Sequence, residues 1–149
     1  MKKIILVLFI LLIVGCGKKN YITCNVEVNN NIQNYTMNGS YKIYYNNNYV
    51  TRIEKQERYI SPDKTMLDYF NEYKNLEYSN LNYLYNGYSF KIDSDEKSVD
   101  IDADIDMSLV NIKKMIKDDY LDKNYAINNK LTTSGIVKIY ESKGAICNI

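Results

Sequence analysis

Residues 35–45, YTMNGSYKIYY, decide the fold class of this chain, because polarity alternates along them with a period of two. The set on one face is Tyr35, Met37, Gly39, Tyr41, Ile43 and Tyr45. The residues between them are mostly polar, with Lys42 and Ser40 in the middle. A period of two is typical of a strand with one buried face, whereas a helix would repeat every three or four residues. The segment therefore predicts a strand in an antiparallel sheet.

Strands are also predicted on both sides of this segment. Ile22–Val28 alternates in the same way and ends at an asparagine run. Asn46–Asn48 predicts a turn, because asparagine tolerates left-handed backbone conformations. Tyr49–Ile60 then predicts a third strand, and one of its faces carries a polar set. That set is Arg52, Glu54, Gln56 and Arg58. Together the three strands predict an antiparallel meander.

The first helix is predicted at residues 62–78, directly after the third strand. Ser61 is the expected N-cap, and Pro62 suits the first helical position. Strands four and five are expected at Tyr88–Ile92 and Ser98–Met107, since both segments alternate. The chain from Asp119 to Lys130 gives no clear pattern.

Two further helices are predicted near the C-terminus. Ser108 is expected to cap the first of them. The second is expected to span Thr133–Lys143 and to end at Gly144 in a left-handed conformation. Residues 145–147 are expected to run extended beside the first strand. The prediction is an α+β fold: an antiparallel sheet of about five strands with two or three helices packed on one face.

The N-terminus has the pattern of a bacterial lipoprotein signal. Lys2 and Lys3 precede the apolar run Ile4–Val14, which is shorter than the ~20 residues of a membrane-spanning helix. The tetrapeptide Ile13-Val14-Gly15-Cys16 that follows resembles a lipobox. We expect residues 1–15 to be the signal peptide, residues 16–20 the lipidated cysteine and a short tether, and residues 21–149 a single domain. An ordinary secretory signal and a retained anchor are the alternatives.

Lipidation at Cys16 predicts where the protein lies. A diacylglyceryl group on the thiol supplies two acyl chains, which is what stable membrane attachment requires. Lys18 and Lys19 follow immediately and suit anionic headgroups. The expected location is the extracytoplasmic side of the cell membrane, with the bilayer as the first partner.

Composition excludes several classes of function. The chain has no histidine and no tryptophan, and it has one proline. Without histidine there is no Ser-His or Cys-His nucleophilic pair and no imidazole zinc ligand. The charge is nearly balanced, with 19 basic and 18 acidic residues, so the basic stripe of a nucleic-acid-binding protein is not expected. Neither a glycine-rich phosphate loop nor a G-x-S-x-G elbow occurs. We expect no enzyme activity, no cofactor and no nucleic-acid partner.

Tyrosine is abundant, with 16 residues. An AT-rich genome would explain this, because tyrosine, asparagine, lysine and isoleucine all have AT-rich codons. A tyrosine-lined surface for a glycan or a peptide is the alternative.

Two cysteines remain after Cys16, one near each end of the domain. In an exported protein an even number of cysteines predicts a disulfide, here between Cys24 and Cys147. Two buried free thiols are the alternative.

The segment SVDIDADIDM, residues 98–107, places four acidic side chains on one face of the fifth strand. They are Asp100, Asp102, Asp104 and Asp106, called here the aspartate ladder. A calcium site is one interpretation, since hard cations bind several carboxylates. An EF-hand is excluded because Ile105 and Asn111 stand where that loop needs glycine and glutamate. Same-face residues on a strand lie roughly 6.5–7 Å apart, which is too far for tight chelation. The favoured interpretation is a solvated face paired across strands with Lys42, Arg52, Arg58 or Lys91.

The order of these segments resembles the YehR-like family of small bacterial lipoproteins. The resemblance rests on the lipobox, the meander, SPDKTMLDYFNEY (61–73), NGYSFKI (86–92) and the strand that leads into MSLVNIKKM (107–115). It implies an α+β lipoprotein and transfers no catalytic residue. The Cys24/Cys147 pair and the aspartate ladder depart from the family pattern.

Two classes of function follow from the sequence. The first is a non-enzymatic surface lipoprotein that binds an envelope protein or glycan through an exposed sheet face. The second is a carrier of a small ligand or cation associated with a membrane transport system. The short length favours the first, because binding lipoproteins of transporters are usually two-lobed and longer.

Overall fold

The structure is a computed structural model that describes residues 20–149. The predicted signal peptide, Cys16 and the tether up to Lys19 lie outside the described residues. The first strand begins at Asn20, the first residue described.

The described chain forms eight strands, three α-helices and one short 3-10 turn. The strands are β1 (Asn20–Asn30), β2 (Tyr35–Asn46), β3 (Tyr49–Ile60), β4 (Tyr88–Ser94), β5 (Ser98–Asp106), β6 (Ala126–Ile127), β7 (Lys130–Leu131) and β8 (Ile146–Asn148). The helices are α1 (Lys64–Tyr85), α2 (Ile112–Lys117) and α3 (Thr133–Glu141), and the 3-10 turn is Lys123–Tyr125.

Six of the strands form one antiparallel sheet in the order β4-β5-β3-β2-β1-β8. The predicted α+β class is confirmed, and the predicted meander is its centre. The sheet has one strand more than expected, because the C-terminal extended segment pairs with β1 as a true edge strand. Strands β6 and β7 form a separate small hairpin in the region where no clear pattern was found between Asp119 and Lys130.

Asparagine makes the tight turns of the sheet. The β2–β3 hairpin turns through Asn47 and Asn48, which both have positive φ, at 48° and 67°. Two central residues with positive φ are the requirement of a type I′ turn, whose twist matches that of the flanking strands. Asn128 and Asn129 repeat this arrangement between β6 and β7. The asparagine runs therefore have a backbone role at these positions.

The two faces of the large sheet differ in burial. One face, called here the inner face, carries the apolar side chains of the core, among them Ile43, Ile53 and Ile101. The helices cover this face and contribute aromatic pairs to it. Tyr59 stacks on Phe70 of α1, and Tyr41 stacks on Tyr140 of α3, each with ring centroids 4.3 Å apart. On the opposite face, called here the outer face, lies no helix formed by residues 20–149.

The helix boundaries differ from the predicted ones, for local reasons. Asp63 is the N-cap of α1 and accepts from Thr65 N at 2.8 Å, whereas Ser61 donates its hydroxyl to the carbonyl of Asn34. The predictions of Ser61 as the cap and of Pro62 as the first helical residue were therefore wrong. The helix also continues past Tyr78, because further core residues recur at helical spacing up to Tyr85.

The cap of α2 differs as well. Asn111 accepts from Lys114 N at 3.0 Å, so the prediction of Ser108 as this cap was wrong. Ser108 instead donates both its amide and its hydroxyl to Asp106. Helix α3 begins at the predicted residue and is followed by Gly144 with φ of 86°. Within residues 20–149, no helix has the length and apolar character needed to cross a membrane.

Candidate functional site

The strand register aligns the outer-face side chains in rows that run across the sheet. One row joins Asn25, Ser40, Gln56 and Asp102 on the four central strands. The next row towards the β1–β2 turn joins Glu27, Asn38, Arg58 and Asp100. These rows place amides and a hydroxyl in the centre of the face, with the charged groups mainly towards β5. We call the first of them the amide row.

The aspartate ladder lies on the outer face, and three of its members have cross-strand partners. Arg52 Nε donates to Asp104 at 2.7 Å, and Gln56 donates to Asp102 at 3.1 Å. Arg58 forms a longer ion pair with Asp100, at 3.4 Å. These contacts are those of a solvated face.

The remaining ladder contacts are local. Asp106 accepts from Ser108, which lowers the pKa of Asp106 below its ordinary value. Of the other two cations expected to pair with the ladder, Lys42 lies over the Tyr21 ring at 4.4 Å and Lys91 pairs with Asp93. Within the described part of the chain, no three acidic or cysteine side chains lie close enough together to hold a metal ion.

The outer face carries two open depressions, which together are called here the trough. These hollows have volumes of about 900 and 640 Å³, and both are lined by Ser40, Gln56 and Asp102. At one end of the trough the exposed Tyr21 ring lies 6.0 Å from that of Tyr44. The trough therefore combines a polar floor with aromatic rings at one end.

The two cysteines of the domain are disulfide-bonded, as the sequence predicted. Cys24 on β1 and Cys147 on β8 lie directly opposite each other in the antiparallel register. Cys24 is fully buried on the inner face. The bond therefore ties the short edge strand, and with it the C-terminus, to the core.

The inner face contains a buried group of charges that the sequence analysis missed. Glu57 is only 6% exposed, and its carboxylate lies 3.3 Å from Lys55 Nζ and 3.5 Å from Lys74 Nζ. Tyr41 and Tyr59 both donate their hydroxyls to the same carboxylate, at 3.2 and 3.3 Å. We call these five residues the Glu57 cluster. Buried charges are normally paired and hydrogen-bonded in this way, since an isolated one is costly.

The protonation states in the Glu57 cluster follow from two opposed effects. Burial would raise the pKa of Glu57, but the charges of Lys55 and Lys74 hold that pKa below its ordinary value. Burial would likewise lower the pKa of Lys74, but Glu57 and Glu77 raise it above its ordinary value. Glu57 and Lys74 therefore stay ionised at neutral pH.

Gly39 makes room for this cluster. A Cβ at this position would lie 2.6 Å from the hydroxyl of Tyr41 and 2.8 Å from Val26. Because the Tyr41 hydroxyl donates to Glu57, a side chain at residue 39 would displace a partner of the buried carboxylate.

A cavity of about 390 Å³ lies beside the Glu57 cluster, between the inner face and the helices. Its walls are mainly apolar and aromatic and come from the sheet, from all three helices and from the segment between α2 and α3. The polar residues among its lining are Lys55, Glu77, Asp122, Lys143 and several tyrosines.

One signal in the sequence did point to the buried charges. In TRIEKQER, residues 51–58, Lys55 and Glu57 occupy the same face as Ile53, and the opposite face is polar as well. A strand that is polar on both faces in the middle of a sheet requires a charged group inside the protein. The cavity had no such signal, because its walls come from segments far apart in the chain.

Comparisons with known proteins give little. No family model matches the chain, and no curated protein matches it. An NMR structure of a protein from Streptococcus pneumoniae TIGR4 is similar over 90% of this chain and 88% of its own, with 13% identity and a TM-score of 0.49. Nothing is transferred from that likeness to this protein.

Proposed function

We propose that this protein is a lipoprotein anchored through Cys16 on the extracytoplasmic side of the cell membrane, and that its outer face binds a glycan of the cell envelope. The single observation behind the glycan is the amide row in the floor of the trough, which no other described segment of the chain covers. Amide and hydroxyl groups each donate and accept hydrogen bonds, as a ligand rich in hydroxyls requires.

The chemistry of the outer face favours a glycan over an envelope protein. Stable protein interfaces have an apolar centre in which aromatic anchors supply most of the binding energy. The centre of this face instead holds Asn25, Ser40 and Gln56. Its exposed apolar side chains lie at the margins: Ile146 on the edge strand, Tyr21 at one end and Ile60 at the other. A polar floor with marginal rings suits a sugar chain, whose apolar ring faces pack against aromatic side chains.

The anchor is supported by the sequence Ile13-Val14-Gly15-Cys16 after a short apolar run. Two acyl chains and two adjacent lysines together account for stable attachment. The similarity to the YehR-like family and the absence of enzyme activity remain predictions that accord with this proposal. The cation form of the alternative has no such support, since among the described residues no three acidic or cysteine side chains cluster closely enough to hold a metal ion. The small-ligand form of that alternative is supported by the cavity.

The glycan proposal is tested by blocking the trough. The full chain, reconstituted in lipid nanodiscs, is mixed with purified insoluble cell-wall glycan and sedimented. We expect the wild-type protein to sediment and Ser40→Trp to remain in solution, because the large ring would fill the floor shared by both hollows. Ser79→Trp, at an exposed position of α1, is the matched control and should sediment like the wild type. Equal sedimentation of the wild type and Ser40→Trp would refute the trough as the binding site.

The anchor is tested separately in the native host with a radiolabelled fatty acid. Wild-type protein should carry the label and fractionate with membranes, whereas Cys16→Ala should carry none, because the thiol accepts the lipid. Full labelling of Cys16→Ala would contradict the proposed anchor without bearing on the glycan.

A further inference from the structure

The cavity behind the sheet has the size and walls of a small-molecule site. At about 390 Å³ it falls in the lower part of the range of ligand pockets, which is ≈ 300–1,000 Å³. Leu81, Met115 and Ile136 are among the apolar side chains that line it. Predominantly apolar walls with a few converging polar groups are typical of such sites.

One polar group at the cavity lacks a partner. Tyr78 is 1% exposed, and within the described residues its hydroxyl has no hydrogen-bond partner. A buried polar atom without a partner is rare and unfavourable in native proteins. The hydroxyl belongs to a residue that lines the cavity, so an acceptor or donor of a bound molecule would satisfy it.

The lining of the cavity carries two acids and two cations. Of the two acids, Glu77 forms an ion pair with Lys74 at 2.7 Å, and Asp122 caps the 3-10 turn by accepting a hydrogen bond from Asn124 N. Of its two cations, Lys55 shares the Glu57 carboxylate with Lys74, and Lys143 forms no ion pair within the described part of the chain. Within the described residues, Lys143 is therefore the charged group of the lining that has neither an ion pair nor a side-chain hydrogen bond.

The two lysines act on each other. Partial desolvation of Lys143 at the edge of the cavity, and then the positive charge of Lys55, lower the pKa of Lys143 below its ordinary value. An anion between the two ammonium groups would remove this repulsion.

We propose that this cavity binds a small organic anion, with its carboxylate directed to Lys55 and Lys143 and its apolar body among Leu81, Met115 and Ile136. The hydroxyl of Tyr78 donates to the same ligand. A monocarboxylate suits the site better than a phosphate, because Lys143 is a single cation without an ion pair in the described part of the chain and most of the remaining walls are apolar. The site lies on the opposite side of the sheet from the trough, so it stands independently of the glycan.

The charge of the ligand is tested with isosteres. The full chain in nanodiscs is titrated calorimetrically with phenylacetate, hexanoate, phenylacetamide and phenethylamine, and empty nanodiscs are subtracted. We expect at least one of the two carboxylates to bind and the neutral amide and the amine to bind roughly tenfold more weakly or not at all, since a hydrogen bond to a charged group is lost. Absence of binding by both carboxylates would overturn the proposal. Binding of phenylacetamide as tight as that of phenylacetate would also overturn it.

The position of the site is tested with variants. Lys143→Met should weaken carboxylate binding about tenfold, since it removes one of the two cations. Lys138→Met, at an exposed position of the helix α3 that precedes Lys143, is the matched control and should bind like the wild type. Tyr78→Phe should bind more weakly while its melting temperature without ligand is maintained or raised, because the unpaired hydroxyl is gone. Unchanged affinity in both Lys143→Met and Tyr78→Phe would place any observed binding elsewhere.

Discussion

Ion pairs occur on both faces of β3, but they are exposed to solvent on one face and buried on the other. On the outer face, Arg52 and Asp104 form an ion pair with side chains 46% and 40% exposed. On the inner face, Lys55, Glu57 and Lys74 form ion pairs with side chains at most 17% exposed. Water screens the outer pair, and such pairs contribute about 0–1 kcal/mol. The inner group has lost its water, so each member depends on the others. Solvent exposure, more than the identity of the residues, sets what an ion pair contributes.

The largest effect is expected on the inner face, at the disulfide. Reduction of Cys24–Cys147 should lower the free energy of unfolding by roughly 5 kcal/mol in the chain-entropy model, since the bond closes a loop with a sequence separation of 123. The measurement is urea unfolding of the full chain with and without reductant. A Cys24→Ala/Cys147→Ala variant is the control and should be insensitive to reductant. A wild-type midpoint that reductant does not move would contradict this expectation.

Removal of the buried acid should have the next largest effect. Glu57→Gln keeps the shape of the side chain but leaves Lys55 without its counter-charge and Lys74 with Glu77 alone. Breaking a buried ion pair in this way costs about 3–5 kcal/mol. Denaturant unfolding checks this, with Glu54→Gln on the outer face of the same strand as the matched control.

The same comparison has a further test. The triple variant Lys55→Met/Glu57→Leu/Lys74→Met removes the whole charged group, and it should be much more stable than Glu57→Gln, because well-packed apolar residues often replace buried ion pairs without loss. If Glu57→Gln were no less stable than Glu54→Gln, the distinction between the two faces would be wrong.

Lowering the pH should gradually remove the contribution of Glu57 to the stability of the protein. The pKa of Glu57 is lowered in the folded protein, so its contribution is present above the ordinary value of 4.5 and is lost as the pH falls through the folded pKa. We expect the stability of the wild type to decline below about pH 4.5. This decline should be smaller than the loss of stability that Glu57→Gln causes at neutral pH. Melting temperatures of the wild type and Glu57→Gln are compared across the acid range. The two curves should converge, because the variant has no such proton to gain, and parallel curves would contradict the assignment.

The smallest effect is expected on the outer face. Asp102→Asn/Asp104→Asn should change stability by less than about 1 kcal/mol, as ordinary surface substitutions do. Millimolar calcium should leave the melting curve of the wild type nearly unmoved. A true site at 100 times its dissociation constant would stabilise by ≈ 2.7 kcal/mol. A calcium-dependent rise that the double variant abolishes would restore the metal interpretation of the aspartate ladder.

Sequence patterns predicted the sheet better than the helices and the sites. The bounds of β3 agree with the prediction at both ends, because alternation is a local property of the strand. The N-cap of α1 does not agree with the prediction, because the hydroxyl of Ser61 donates to the carbonyl of Asn34, which is far away in the sequence. The cavity depends on how α1, α2 and α3 pack together, which no local pattern reports. Lys55 and Glu57 were visible as polar residues on an apolar face, but Lys74 becomes their partner only through the packing of α1.

The start of β1 at Asn20 limits how far the amide row can stand from the membrane. If Cys16 carries the lipid, the chain from Cys16 to Asn20 spans at most about 14 Å when fully extended. The amide row crosses β1 at Asn25, about 17 Å further along the strand. A glycan held there would therefore lie within about 30 Å of the bilayer surface. Because the row crosses the strands, a strand direction normal to the membrane would lay that glycan parallel to it. The domain would then hold that glycan at no more than this height above the membrane.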